Sequence, residues 1–318
     1  MVILFRNPQF GSSSSPRSPV LKEGGQHNDS ALKSSLVQYN PASQKWEDLP
    51  AIPLKLQYEF PTSAAVLHND VIVLTNKCRT WMYKTNANVW SLLCQKHHPP
   101  RQDGRLVSTG SGVYLIGGSS PGQAAPVQAV MRFDSHIQQW REAAQLPVAL
   151  SHVSVVCSGG KIYVIGSKSM SHFTATMLCY CPKSRHWNRC KSTPVKLMRT
   201  SLVAVNGLIY LIGQRNDFAL DVYRYDTSCD GWEAMEDPLI ARINAATVVC
   251  NNQIYLIGGH SMKGDYAEQD EMTIESFDPQ DGVWRFHSDM PVTVYGQPVV
   301  ATLHPNHSPS RFLGPKQH

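Results

Sequence analysis

An all-β fold built from repeated units is what the sequence predicts, on three observations. Six tryptophans, Trp46, Trp90, Trp140, Trp187, Trp232 and Trp284, recur at intervals of 44, 50, 47, 45 and 52 residues. Each has an aromatic residue seven positions earlier, at Tyr39, Tyr83, Phe133, Tyr180, Tyr225 and Phe277. Around these pairs lie short runs rich in β-branched and aromatic residues, broken by Asn, Gly, Asp or Pro, which is the pattern of strands and turns. One copy of such a unit cannot bury its own apolar face, so copies must stack.

The unit has four parts, clearest in the last copy: NAATVVCN, NQIYLIGG, MTIESFDP and DGVWRFH. Four strands per repeat make a propeller blade, so six copies predict six blades of four antiparallel strands. The second strand ends in a glycine pair at Gly118 and Gly259, with decayed versions VIVLTN (71–76), IYVIGS (162–167) and IYLIGQ (209–214). Glycine there permits positive φ or the close approach of another backbone at a sharp strand exit. The aromatic residue and the Trp straddle the hairpin between the third and fourth strands, as in YRYDTSCDGW (223–232). They are expected to pack across it as core residues.

The two ends complete each other. After Trp284 the segment QPVVATL (297–303) reads as another first strand, whereas the N-terminal copy has VILF (2–5), SSLVQYN (34–40) and KWEDL (45–49) but no first strand. The C-terminal strand is therefore expected to close the first blade, removing two open sheet edges. Residues 6–33, with FGSSSSPRSP and KEGGQHNDS, lack apolar periodicity and are read as a disordered loop insertion. An alternative places the second strand at PVLKEGG (19–25), leaving 1–18 as a tail. The propeller is assigned to residues 1–304 and a disordered tail to 305–318.

Composition agrees with one large turn-rich body: 42% apolar and 17% charged residues, with 21 Gly and 21 Pro. The net charge of +5 contains no run of five Lys or Arg, which removes a basic stripe for nucleic acid. The opening MVILF is too short for a secretory segment and no run has the length of a membrane span, so a soluble, cytoplasmic protein is expected. None of the eight cysteines forms a C-x-x-C pair. They read as reduced packing residues, with Cys179 and Cys181 on one face of a strand.

The glycine pair, aromatic residue and Trp at this spacing resemble the Kelch repeat, over nearly the whole chain in six copies. The departures are the lost second Gly in three copies and the absent pair in the copy ending at Trp90. Propellers also carry enzymes, so the acidic residues and histidines bear on whether this one does. Asp134, Asp226, Asp278 and Asp281 sit at turn positions, as Asp prefers. The segment from Ser228 to Trp232 has the wrong spacing for a sialidase Asp-box. His97 and His98 precede Pro-Pro without the Cys and His companions of a metal site. No G-x-S-x-G, phosphate loop or H-E-x-x-H occurs. Hence no catalytic residue, metal or cofactor is assigned, and recognition is the expected function.

Counting fourteen residues back from the first glycine position gives Asp103, His152, Arg199 and Asn244. The resemblance to intracellular Kelch proteins implies that this position faces the binding mouth. Just past the glycine positions lie Asn76, Lys77, Ser119, Ser120, Lys168, Arg215, His260 and Ser261, expected at the same mouth. Lys77, Lys168, Arg199, Arg215 and Arg242 would make it mildly basic and suited to an acidic peptide. The resemblance further implies the substrate-recognition propeller of a BTB-Kelch adaptor for a cullin ubiquitin ligase. The BTB and BACK parts are absent from this chain, which would make it a fragment or short isoform. The alternative is a stand-alone Kelch scaffold or actin-associated binding protein. A Kelch-propeller enzyme is the third class.

Overall fold

The computed structural model describes residues 2–7, 36–53, 59–94, 101, 103–120, 125–167, 176–215, 217, 219–263, 267–290 and 295–302. The expected loop over 6–33 gives up Arg6 and Asn7, which continue the first strand; its remainder over 8–33, the alternative strand at 19–25, the tail over 305–318, Lys168, and the pair His97 and His98 lie outside them.

Near the N-terminus are β1 (Val2–Asn7), β2 (Leu36–Asn40) and β3 (Lys45–Leu49). Four groups of four strands follow. The first is β4 (Pro61–Leu67), β5 (Asp70–Thr75), β6 (Thr80–Lys84) and β7 (Val89–Cys94), and the second is β8 (Arg105–Thr109), β9 (Gly112–Ile116), β10 (Val130–Asp134) and β11 (Gln139–Glu142). The third is β12 (Ser151–Ser158), β13 (Lys161–Ser167), β14 (Thr176–Cys181) and β15 (His186–Arg189), and the fourth is β16 (Met198–Val205), β17 (Leu208–Gln214), β18 (Leu220–Asp226) and β19 (Gly231–Ala234). The last stretch holds β20 (Arg242–Ile243), β21 (Ala246–Cys250), β22 (Gln253–Ile257), β23 (His260–Lys263), β24 (Ala267–Asp270), β25 (Thr273–Asp278), β26 (Val283–Asp289) and β27 (Tyr295–Thr302).

Among the described residues these strands make six four-stranded sheets and one three-stranded sheet. The innermost strands β4, β8, β12, β16, β21 and β27 touch one another in that order, and β27 returns to β4, so the array closes into a ring.

The expected count of six equivalent blades needs correction to five. Five sheets are self-contained blades, each folded from one continuous stretch of chain. The remaining four-stranded sheet, ordered β27-β1-β2-β3, is assembled from both ends of the chain, with Val2 opposite Thr302 and Phe5 opposite Val299. Each blade has the expected four antiparallel strands, and the last one carries an insertion. Between β22 and β25 the chain adds β23 and β24, which join β20 in the three-stranded sheet. No apolar period marks this insertion, because its strands do not enter the stacked core. Deleting β27 by truncation after Met290 exposes the edge of β1 and the faces of the neighbouring sheets. Loss of soluble protein is the expected outcome, whereas truncation after Leu303 keeps β27 and is expected to leave the melting temperature unchanged. Thermal melts of the two truncations check this.

The core lies between sheets. Ile72 and Leu74 of β5 pack with Val113 and Leu115 of β9, and Ile162 and Val164 of β13 pack with Tyr114 and Ile116 of β9. A strand covered on both faces must be apolar at successive positions, which is why the second strand of each copy reads as an unbroken apolar run.

The six aromatic–Trp pairs sit directly opposite one another across the outer hairpins, with ring centroids 4.5–5.3 Å apart. Their division of labour differs from expectation. The earlier residue of each pair is buried, whereas among the six tryptophans of these pairs only Trp284 is, at 3% exposure. Trp232, expected in the core, is half-buried and donates its indole N–H to the Lys191 carbonyl at 3.0 Å. Trp90, Trp187 and Trp284 likewise donate to Pro50, Ala144 and Glu236. These carbonyls all lie just past the outer strand of the preceding sheet, so the Trp fastens its blade to the one before it.

Candidate functional site

Inner strands begin, and second strands end, at one rim of the ring. Ser151 there pairs with Ser167, Met198 with Gln214 and Pro61 with Thr75. The strand entries and the loops after the second strands therefore share one mouth.

Four equivalent entry residues take the left-handed conformation: Asp103 at φ 56°, His152 at 47°, Arg199 at 48° and Asn244 at 56°. His152 and Arg199 sit in β-bulges, where the register shifts between Ser151 and Ser154 and between Met198 and Ser201. Side chains with a Cβ rarely adopt positive φ, and such strain concentrates at functional positions. Asp103, His152 and Arg199 are exposed and Asn244 is half-buried. In the β4–β7 blade the equivalent place is Pro61, whose ring fixes φ near −65° and bars this conformation.

Two residues before each entry position is a buried side chain, Glu59, Arg101, Leu150, Leu197 and Arg242, of which sequence reasoning singled out only Arg242, and that as a mouth cation. Where the blade keeps its glycine pair the residue is Arg, and where only one Gly survives it is Leu. The geometry explains the correlation. Gly117 and Gly118 have φ of 61° and 100°, and Gly258 and Gly259 have 61° and 93°, which turns the chain out of the strand. The Gly117 and Gly258 carbonyls, turned off the ladder, then need a donor, and the Ala129 and Thr273 carbonyls beside them take a second one. Arg101 donates to the carbonyls of Gly117 and Ala129 at 3.3 and 2.5 Å, and Arg242 to those of Gly258 and Thr273 at 3.2 and 3.0 Å. In the single-Gly blades β13 and β17 run on to Ser167 and Gln214. Leu150 and Leu197 instead pack on Gly166 and Gly213, where an added Cβ would come within 3.0 and 2.8 Å of them. The spacing of sixteen residues to the first glycine position was the signal that could have found this layer.

Burial brings the Arg101 guanidinium down to about 10, and its Nε and Nη2 have no partner among the described residues. Arg242 also forms an ion pair with the Glu275 carboxylate, which in turn accepts from the backbone N–H of Leu239 at 2.7 Å and Ile240 at 3.2 Å.

The expected basic mouth is correspondingly reduced. Arg242 is 1% exposed and faces inward. Arg215 is held by Asp217 at 3.0 Å and Asp221 at 3.3 Å, and nearby Asp237 is pushed up by burial first and by the Asp221 charge second. Lys77 and Arg199 are exposed cations without an ion pair among the described residues. Asn76 is committed to structure, since its side-chain oxygen and backbone N–H both bond Phe60 at 3.0 Å. Ser119 is buried in an isolated bridge with Pro126, Ser120 donates its N–H to the Ala125 carbonyl, and Ser261 is buried. His260 lies in a strand, its Nδ1 2.7 Å from Asp270 across the β23–β24 pair.

Along the axis the inner strands enclose a cavity of about 160 Å³ with Ser63, Arg105, Ser154, Thr200, Ser201 and Thr247 in its wall. Its hydroxyls are engaged between neighbouring blades. Ser63 Oγ accepts from the Leu106 N–H at 2.9 Å, Ser154 meets Thr200 Oγ1 at 3.1 Å, and Ser201 bonds Thr247. Among the described residues no group of three His, Cys, Asp or Glu gathers to hold a metal, and no helix is long and apolar enough to cross a membrane.

A family model described as the Attractin/LZTR1 beta-propeller matches residues 20–269. Kelch-like protein 35 of Homo sapiens is 34% identical over 248 residues, 77% of this chain and 40% of that protein. Kelch-like protein 38 of Rattus norvegicus is 21% identical over 286 residues, 87% of this chain and 48% of that protein. The solved structure of YjhT superposes with a TM-score of 0.66 at 14% identity, over 80% of this chain and 89% of that one, a likeness of fold. The repeat is thus a Kelch repeat in a propeller resembling the C-terminal domains of BTB-Kelch proteins, and the chain spans under half the length of these Kelch-like relatives.

Proposed function

We propose that this chain, which belongs to the Attractin/LZTR1 β-propeller family, is a non-enzymatic recognition module that holds a protein or peptide partner at its mouth. The observation that carries this reading is the left-handed conformation shared by Asp103, His152, Arg199 and Asn244 at one rim, with three of the four side chains exposed. The contact set extends to Lys77, Lys168 and His260. Arg199 and Lys77 favour an acidic segment, because a guanidinium without an ion pair among the described residues can form charge-assisted hydrogen bonds with one. The likeness to Kelch-like proteins 35 and 38, over less than half their length, supports the role of substrate-recognition part in a cytoplasmic BTB-Kelch adaptor of a cullin ubiquitin ligase.

Arg199→Ala is expected to weaken partner binding by about 1.5–3 kcal/mol, the range for a hydrogen bond to a charged group, while the melting temperature stays in place. Arg141, an exposed outer-strand residue 3.4 Å from Asp134, provides the control. Pull-downs with wild type, Arg199→Ala and Arg141→Ala, read by mass spectrometry, decide the matter. Loss of partners with Arg199→Ala alone supports the mouth, and an unchanged partner set removes it.

A further inference from the structure

Away from the mouth, five side chains form one line of polar contacts across the seam between the β12–β15 and β16–β19 blades. Cys190 packs against the cluster that holds Tyr163, Cys179 and Tyr225, where hydrogen bonding links the Cys179 thiol to Tyr163 and Cys190, and Cys190 to Tyr225. The Tyr225 hydroxyl donates to Asp230 at 2.5 Å. The backbone explains why the two sulfurs meet. Cys179 stands opposite Asn188 in the β14–β15 pair, and the Cys190 N–H donates to the Met177 carbonyl at 3.0 Å. Cys190 therefore lies diagonally across from Cys179 on the same face, the arrangement in which neighbouring strands bring side chains together. Both cysteines are free. Cys179 is 6% exposed and Cys190 is half-buried. The expected neighbour Cys181 is half-buried and turns instead to Ser184.

We propose that Cys179 and Cys190 are a reversible redox site, oxidised to a disulfide by hydrogen peroxide and restored by a dithiol. The Cys179 thiol loses its proton to solvent, its thiolate attacks one peroxide oxygen, the O–O bond breaks, and the departing hydroxide takes a proton from solvent as water. The Cys190 sulfur, on the solvent side of the pair, then attacks the Cys179 sulfenic acid. The S–S bond forms, the S–O bond breaks, and the hydroxide leaves with the Cys190 thiol proton as a second water. Two electrons pass from the thiols to the peroxide, so two thiols and one peroxide give one disulfide and two waters.

The proton balance of the pair supports the geometry. The hydrogen bond from Cys190, then that from Tyr163 and the charge of Lys161, bring the Cys179 thiol down to about 7 against the effect of burial. The same contact holds the Cys190 thiol above the usual range, as when two groups share one proton. The location gives the modification something to act on. Lys191, next in the chain, donates its N–H to Asp230 at 2.8 Å and accepts the Trp232 indole N–H. A bond at Cys190 therefore pins the segment that fastens one blade to the next.

The full chain, treated with hydrogen peroxide, blocked with iodoacetamide and digested with trypsin, tests this. Lys183, Arg185 and Arg189 separate the two cysteines into different peptides. A Cys190–Lys191 fragment linked to the Cys179 peptide is expected, persisting in Cys181→Ser, absent in Cys190→Ser and released by dithiothreitol. Recovery of Cys179 and Cys190 as alkylated thiols while the exposed Cys229 oxidises would overturn the proposal. So would a Cys179–Cys181 bond, or oxidation of the pair to sulfinic acids without a link.

Discussion

Replacing Trp284 with alanine is expected to remove about 3–5 kcal/mol of stability, the range for deleting a large aromatic side chain from a core. Trp284 is 3% exposed and lies in the cluster formed by Tyr210, Ile254 and Phe277, and its indole N–H holds the Glu236 carbonyl at 2.9 Å. Trp232, at the same place in its own repeat, is half-buried, so Trp232→Ala should cost about 1–2 kcal/mol, in proportion to the smaller apolar area it covers. Urea unfolding of the two variants compares them directly. Equal midpoints would mean that the outer tryptophans act only as hydrogen-bonded fasteners and that the burial of Trp284 adds nothing.

Arg242→Leu is expected to cost a similar amount, about 3–5 kcal/mol, because it leaves the Glu275 carboxylate buried without its guanidinium. Both residues are essentially inaccessible, at 1% and 0% exposure. The protein contains its own apolar alternative. In the β12–β15 blade Leu150 occupies the place of Arg242, and Leu178, opposite Val164 as Glu275 is opposite Leu256, occupies that of Glu275. The double variant Arg242→Leu/Glu275→Leu should therefore recover part of the loss, leaving the N–H groups of Leu239 and Ile240 and the Gly258 carbonyl to find water and the Thr273 carbonyl with one donor fewer. A double-mutant cycle by denaturant unfolding measures the coupling. A double variant as unstable as the sum of the singles would show that the charge pair is not interchangeable with the leucine pair.

What the sequence revealed and what it concealed divides along the kind of interaction. The aromatic residue and Trp are seven apart because the hairpin places them directly opposite, so Tyr225 and Trp232 were legible as a pair from spacing alone. Which of the two would be buried was not, because that depends on how far the preceding blade extends over the hairpin. The entry positions Asp103, His152, Arg199 and Asn244 were found by counting, and their common left-handed backbone gives a conformational reason for the count. Charge was misread at Arg215 and Arg242, since a one-dimensional list of cations does not contain Asp217, Asp221 or Glu275 as their partners. The inserted β23–β24 hairpin escaped notice for a related reason. Its ladder is held by pairs such as His260 with Asp270, not by an apolar face with a readable period.

The sheet that joins Val2 to Thr302 sets a schedule for the chain's birth. The five contiguous blades can each form soon after their own residues leave the ribosome, because every partner strand is close in sequence. The β1–β3 segment, made before the five blades, must wait until all of them have been synthesised before its inner neighbour β27 arrives. Contacts between such distant segments carry the largest loop-closure cost and form late. During that interval both flanks of the growing arc are open to other chains, and translation speed rather than sequence alone decides how long they stay so.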